Sequence, residues 1–255
     1  MVDLGINDTV IKDVELVIFD RDGTLIDLYS YWSWMIGKRA ELICERLNLG
    51  GEHRKKLMFV MGIDEADKKI RPGGPVGLKK REIVMQEAID YLFLIKLNDT
   101  KHVCMEVFQE VDKISFSNLE NIIKPIDGLH TIFNKLTSNA CKIAIATTDK
   151  TERARVSMDF LGLTRQIDCI MGEDSVRRPK PAPDMANKIL SYLNINKNNA
   201  VMVGDAITDA QMGINAGLKA SIAVLTGMAS LDEFKKVTPY VVKNIGSIKI
   251  KNAEE

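Results

Sequence analysis

Val14-Glu-Leu-Val-Ile-Phe19 runs straight into Asp20-Arg-Asp-Gly-Thr-Leu25, and the fold follows from how that junction is read. The first half is apolar, β-branched and of strand length, without the polar alternation of a half-exposed strand. Two acids and a glycine then break it. Similar runs recur at Lys142-Ile-Ala-Ile-Ala-Thr147, Ile167-Asp-Cys-Ile-Met171, Ala200-Val-Met-Val-Gly204 and Ser221-Ile-Ala-Val-Leu225. Helix-length stretches over 128–138, 151–161, 183–193 and 208–216 lie among them. Continuous apolar strands separated by amphipathic helices predict βαβ units and a parallel sheet buried on both faces. The expected class is α/β, with a doubly wound, Rossmann-like core.

That alternation is interrupted once. From Leu28 to Lys124 no strand is predicted, and helical patterns cover 31–49, 52–61, 78–97 and 100–114. In the third, Ile83, Val84, Ala88, Tyr91, Leu92 and Ile95 recur at helical spacing. Arg71-Pro-Gly-Gly-Pro-Val-Gly77 reads as a loop. The expected organisation is therefore a core made of 1–27 and 123–255, with an all-helical domain inserted at 28–122. The Lys/Asn/Glu-rich tail after Ile245 is expected to fray.

Composition excludes several functions. The 255 residues carry 35 Lys+Arg against 35 Asp+Glu, for a net charge of zero, and 45% are hydrophobic. Whole-chain disorder is ruled out, and a general affinity for nucleic acid or an anionic membrane would need a basic excess. Cys44, Cys104, Cys141 and Cys169 are scattered, as are His53, His102 and His130, so neither a zinc site nor a disulfide framework is expected. The acidic start, Met-Val-Asp-Leu-Gly-Ile-Asn-Asp, does not read as a signal peptide. The most apolar stretch, 83–97, is too short to span a bilayer. A cytoplasmic, reduced protein is expected.

In open parallel sheets, ligands bind outside the carboxyl ends of the strands. The polar residues expected there are Asp20, Asp22 and Thr24 after the first strand, Thr147, Thr148 and Asp149 after the second, and Asp205 and Asp209 after the fourth. Lys180 stands between Pro179 and Pro181, which stiffen it. Carboxylates gathered at one sheet edge repel each other unless a cation intervenes. An all-oxygen set favours a hard ion, Mg²⁺ above all, because it keeps several waters and pairs with phosphate. With Lys180 and the Thr147 hydroxyl as donors, such a site suits a phosphoryl group.

Phe19-Asp20-Arg21-Asp22-Gly23-Thr24-Leu25, Thr147, Lys180-Pro181 and Val203-Gly204-Asp205-Ala-Ile-Thr-Asp209 resemble, in order, the four motifs of the haloacid dehalogenase superfamily. Pro125-Ile-Asp-Gly128, Lys180-Pro-Ala-Pro-Asp184, Gly213-Ile-Asn-Ala-Gly217 and Leu225-Thr-Gly227 resemble its phosphoglycolate-phosphatase-like branch, in which the helical insertion is a cap. The resemblance implies Asp20 as the nucleophile that becomes phosphorylated and Asp22 as acid, then base. It implies that Asp20, the Asp22 main-chain carbonyl and Asp205 hold Mg²⁺, with Asp209 as an outer or alternative ligand. Thr147 and Lys180 would bind the phosphoryl oxygens; Thr148 is the rival to Thr147, which its place at the strand end favours. Arg21 fills the motif's variable slot and is expected to leave the mechanism untouched.

The cap names its substrate less clearly. Trp32 and Trp34 fall with Tyr29 and Tyr31 just after the first motif, where they pack the cap or line the mouth of the site. Arg71, Lys79, Lys80 and Arg81 either stay solvated or reach the far end of an anionic substrate. Met58, Met61 and Met85 read as core. The expected function is a Mg²⁺-dependent phosphatase of a small phosphorylated metabolite, without nucleic acid or membrane as partner. A phosphotransferase or sugar-phosphate mutase, or a pyrophosphatase, is the alternative.

Overall fold

The computed structural model describes residues 1–77 and 79–252, and these divide into two compact units, Met1–Leu28 with Pro125–Glu255, and Tyr29–Lys124. The first unit begins with two strands absent from the sequence reading, β1 (Val2–Ile6) and β2 (Thr9–Val14), paired antiparallel. The apolar run then splits: Val14 closes the hairpin, Glu15 donates its N–H to the Asn199 carbonyl, and β3 (Leu16–Phe19) enters the main sheet. All four β3 residues are buried because strands flank it on both sides.

The second unit contains α1 (Leu28–Arg46), α2 (Gly51–Met61), β4 (Ile63–Asp64), β5 (Lys69–Ile70), α3 (Arg81–Leu94), α4 (Lys101–Ile114) and α5 (Leu119–Ile122). The first four helices fall on the stretches that periodicity marks, with Leu57, Met58, Met61, Val84, Ala88, Leu92, Val107 and Phe108 facing inward, but α3 stops at Leu94 instead of 97, Ile83 is exposed, and α5 is not expected from the sequence. The expectation of an all-helical insertion needs one correction. Ile63 pairs with Ile70 in a two-residue hairpin, too short to leave any alternation in the sequence. Arg39 is also buried; it and Arg81 share Asp112 at 2.9 and 3.0 Å, and both lie over the Phe108 ring.

Returning to the first unit, α6 (Leu129–Ser138), β6 (Lys142–Ala146), α7 (Thr151–Phe160), β7 (Cys169–Met171), α8 (Asp184–Leu193), β8 (Ala200–Gly204), α9 (Ile207–Asn215) and β9 (Ala220–Val224) follow the predicted alternation. A short α10 (Leu231–Phe234), β10 (Tyr240–Val242) and β11 (Lys249–Asn252) complete it. The six-stranded sheet has the order β10-β9-β8-β3-β6-β7, parallel throughout. Leu16 and Ile18 on one face pack with Met185, Ile189, Met202 and Met212. Successive strand side chains alternate in direction, so Phe19 faces the other way, where its ring lies 5.5 Å from that of Phe133 in α6.

The tail expected to fray is corrected as well. β11 pairs antiparallel with β1, Leu4 opposite Ile250, and completes a small sheet of order β11-β1-β2. Residues 253–255 of that tail, and Leu78 at the head of the predicted third cap helix, lie outside the described residues. The four cysteines are free and buried. No helix among the described residues is long and apolar enough to cross a membrane.

Candidate active site

β3 and β8 are neighbours in the sheet, so the residues just past their carboxyl ends meet. Asp20 donates its N–H to the Val203 carbonyl at 2.8 Å, which extends the ladder by one residue and aims its side chain past the sheet edge. The chain then turns sharply, with the Leu25 N–H on the Arg21 carbonyl at 2.8 Å and the Gly23 N–H on Ile26 at 2.8 Å. Gly23 is required twice over. Its φ is +86°, and a Cβ there would stand 2.2 Å from Asp205 Oδ2. The Thr24 hydroxyl donates to Asp205 Oδ1 at 2.8 Å.

Asp209 sits in the first turn of α9, and its Oδ2 accepts the Ala206 N–H at 3.0 Å. It therefore caps the helix while its other oxygen faces the site. Lys180 links the set: its ammonium lies 2.5 Å from Asp20 Oδ1 and 2.7 Å from Asp209 Oδ1. One carboxylate oxygen from each of Asp20, Asp205 and Asp209 lies within 4.8 Å of the other two, and all three residues are buried. Hard oxygen donors without nitrogen or sulfur fit Mg²⁺.

The electrostatics are those of crowded acids. Burial pushes the Asp20 carboxyl up to about 7; Lys180 opposes the shift, while Asp209 and Asp22 add to it. Asp205 is raised well above the usual carboxylate range, by burial and then by Asp20 and Asp209, against the Thr24 hydrogen bond. Burial works against the Lys180 charge, but Asp20 and Asp209 outweigh it and raise its pKa. One ammonium is thus set against three buried carboxylates. A divalent cation would restore the balance.

The Asp22 carboxylate is not in that cluster. It is gripped by Arg21, with Nε on Oδ1 at 3.0 Å and Nη2 on Oδ2 at 2.6 Å. Arg21 is fully buried, and Nη2 also reaches Asp149 Oδ2 at 2.7 Å. Burial raises the Asp22 pKa and Arg21 opposes the rise. Arg21, read from the sequence only as the occupant of a variable slot, thus has its side chain on Asp22 and Asp149. A charged residue buried just past a strand end, as Arg21 is two residues after Phe19, must find a counter-ion, and that is the available signal.

Thr147 follows β6 with its N–H on the Met171 carbonyl at 3.0 Å; its side chain is buried and its hydroxyl accepts the Asp149 N–H at 3.1 Å. Thr148 is exposed. In the second unit, Trp34 lines a cleft of about 280 Å³ with Tyr29, Ser33, Arg54, Met58 and Asn121. Trp32 meets Tyr31 edge-on at 5.1 Å. The Arg71 guanidinium lies over Phe59 and donates to the Val60 carbonyl at 3.4 Å. Lys79 and Lys80 are exposed.

The sequence model of the haloacid dehalogenase-like hydrolases matches residues 76–224, a span that holds Thr147, Lys180, Asp205 and Asp209. The probable phosphatase IndB of Dickeya dadantii is 33% identical over 231 residues, which are 89% of this chain and 88% of that protein. Pyrophosphatase PpaX of Halalkalibacterium halodurans is 30% identical over 110 residues; the match takes in 43% of this chain and spans about half of PpaX, 51%. Among solved structures, a predicted phosphoglycolate phosphatase from Haemophilus somnus superposes with a TM-score of 0.68 at 17% identity, over 92% of this chain and 96% of that one. That likeness establishes the fold.

Proposed function

We propose a reaction for this chain from one premise: it belongs to the haloacid dehalogenase-like hydrolases and is a phosphatase of that family. The reading is hydrolysis of a small phosphomonoester through a phosphoaspartate. The observation that carries it is the Lys180 ammonium set between Asp20 and Asp209, with Asp205 beside them. Asp20, Asp205 and Asp209, with the Asp22 main-chain carbonyl that the family resemblance implies, are the groups to hold Mg²⁺. When bound, the ion supplies positive charge that lets an anionic phosphoryl group approach these acids.

The chain's own residues do the rest. The Asp20 carboxylate attacks phosphorus and the bond to the leaving oxygen breaks, giving an aspartyl phosphate. Asp22 gives a proton to that oxygen, then takes one from the water that attacks the aspartyl phosphate and frees Asp20. Lys180 and Thr147 hold phosphoryl oxygens, and Lys180 trades part of its contact with Asp20 for one with substrate. In this reading the compact unit Met1–Leu28 with Pro125–Glu255 is the catalytic core, and the unit Tyr29–Lys124 takes the substrate-selecting role of the cap that the family resemblance implies.

The test is phosphate release from 4-nitrophenyl phosphate with Mg²⁺ or EDTA. Turnover that needs Mg²⁺ supports the reading; turnover unchanged in EDTA contradicts it. The similarity to PpaX, a pyrophosphatase by name, favours a second reading in which the leaving group is phosphate itself. Faster hydrolysis of pyrophosphate than of any monoester in a metabolite panel would select it.

A further inference from the structure

Arg21 carries more than its place in the motif implies. Its guanidinium presents a planar fork to both Asp22 oxygens, Nε to Oδ1 at 3.0 Å and Nη2 to Oδ2 at 2.6 Å. The fork is itself held from outside, by Asp149 Oδ2 at 2.7 Å and by the Ser157 hydroxyl of α7 at 3.5 Å from Nη1. Asp149 is tied in turn: its N–H meets the Thr147 hydroxyl, its Oδ1 accepts the Lys150 N–H at 2.7 Å, and Arg153 Nε lies 3.5 Å from Oδ2. Neighbouring residues in an extended chain point to opposite sides. The chain turns after β3, with the Leu25 N–H on the Arg21 carbonyl, and there residues 21 and 22 meet.

We infer that Arg21 is the positioning residue for Asp22, fixing the plane and direction of its carboxyl through a forked contact braced by Asp149. The inference rests on the reading of Asp22 as acid and base given above. A carboxylate free to rotate about its last torsion adopts a broad range of orientations, and a forked arginine removes that freedom. Stability alone does not explain the arrangement. A fully buried arginine is expensive to desolvate, and apolar residues of similar volume often serve a core as well or better. Loss of about an ångström of positioning can lower a rate on the order of a hundredfold.

The experiment separates positioning from a merely structural role by varying how much the leaving group needs a proton. kcat/KM is measured for 2,4-dinitrophenyl, 4-nitrophenyl and phenyl phosphate with Mg²⁺, for wild type, Arg21→Met, Arg21→Lys and Asp22→Asn. Arg21→Met is expected to lose about a hundredfold on phenyl phosphate, and only about threefold on the dinitrophenyl ester, whose leaving group departs without an acid. Arg21→Lys keeps the charge without the fork and should recover little of that loss. Equal losses across the series in Arg21→Met, or full rescue by lysine, overturn the inference. Asp22→Asn keeps the two failures apart. A steep series there with a flat one in Arg21→Met defeats the positioning role alone. Flat series in both defeat the acid role of Asp22, and the positioning role with it. Should Arg21→Met fail to fold, Asp149→Asn carries the same test with a smaller expected steepening, and a flat series there contradicts the brace.

Discussion

Lys180 Nζ lies 2.5 Å from Asp20 Oδ1 and holds the carboxylate on which the proposed chemistry turns. The contact brings together residues 160 positions apart in the chain. It also explains why three buried acids are tolerated at one sheet edge. Lys180→Met removes the cation and leaves Asp20 and Asp209 buried without it. Breaking a buried pair in this way costs about 3–5 kcal/mol. The thermal midpoint should fall, and saturating Mg²⁺ should restore more of it than it adds to wild type. Equal Mg²⁺ increments in the two proteins would contradict this account.

The crowding also sets a pH dependence. Asp20 is raised from 3.8 to about 7, so over that interval the native state binds more protons than the unfolded chain. Its stabilising contribution is full below pH 3.8 and is lost as pH rises through about 7. The midpoint without metal should decline from pH 5 to pH 8, with a smaller decline in Asp20→Asn. Mg²⁺ favours ionised carboxylates, so its stabilising effect should grow over the same range. An identical decline in Asp20→Asn would refute the assignment to Asp20.

Close approach at Asp205 offers a steric test. A Cβ on Gly227 would fall 1.9 Å from Asp205 Oδ2, and one on Gly23 would fall 2.2 Å from it. Gly227→Ala should displace that carboxylate and weaken Mg²⁺ affinity by about tenfold or more, the scale seen when support of a metal ligand is lost. Calorimetric titration with Mg²⁺ reads this directly. An unchanged affinity would mean that Asp205 is not a ligand.

Ending the chain at Ile248 removes β11 and leaves β1 unpaired on that side. The variant should unfold at lower temperature and keep kcat on 4-nitrophenyl phosphate within about twofold, because surface elements away from the site act on stability rather than chemistry. A large loss of kcat in folded protein would connect the small sheet to the site.

Much of the fold was legible because Leu16–Phe19, Lys142–Ala146 and Ala200–Gly204 are covered on both faces, and burial on both faces writes an unbroken apolar run. β1 and β2 were missed although the turn residues Asn7 and Asp8 stood between them, with Asn7 at φ +51°. β11 was missed because an edge strand rich in lysine reads like a solvated tail. In the candidate site, Asp20, Asp205 and Asp209 are legible as acids after strands and Lys180 as a base stiffened by two prolines, and the structure brings these four together. Arg21 was undervalued, since nothing local to 20–25 shows that Asp149, 128 residues away, completes its pairing.

The central claim is that Asp20 is the nucleophile. The most direct measurement is an acid quench during steady turnover of 4-nitrophenyl phosphate, followed by peptide mass spectrometry of wild type and Asp20→Asn. A phosphoryl adduct on Asp20 in wild type, with neither adduct nor turnover in Asp20→Asn, is the predicted result. Turnover persisting in Asp20→Asn, with no adduct on Asp20 in wild type, would contradict it.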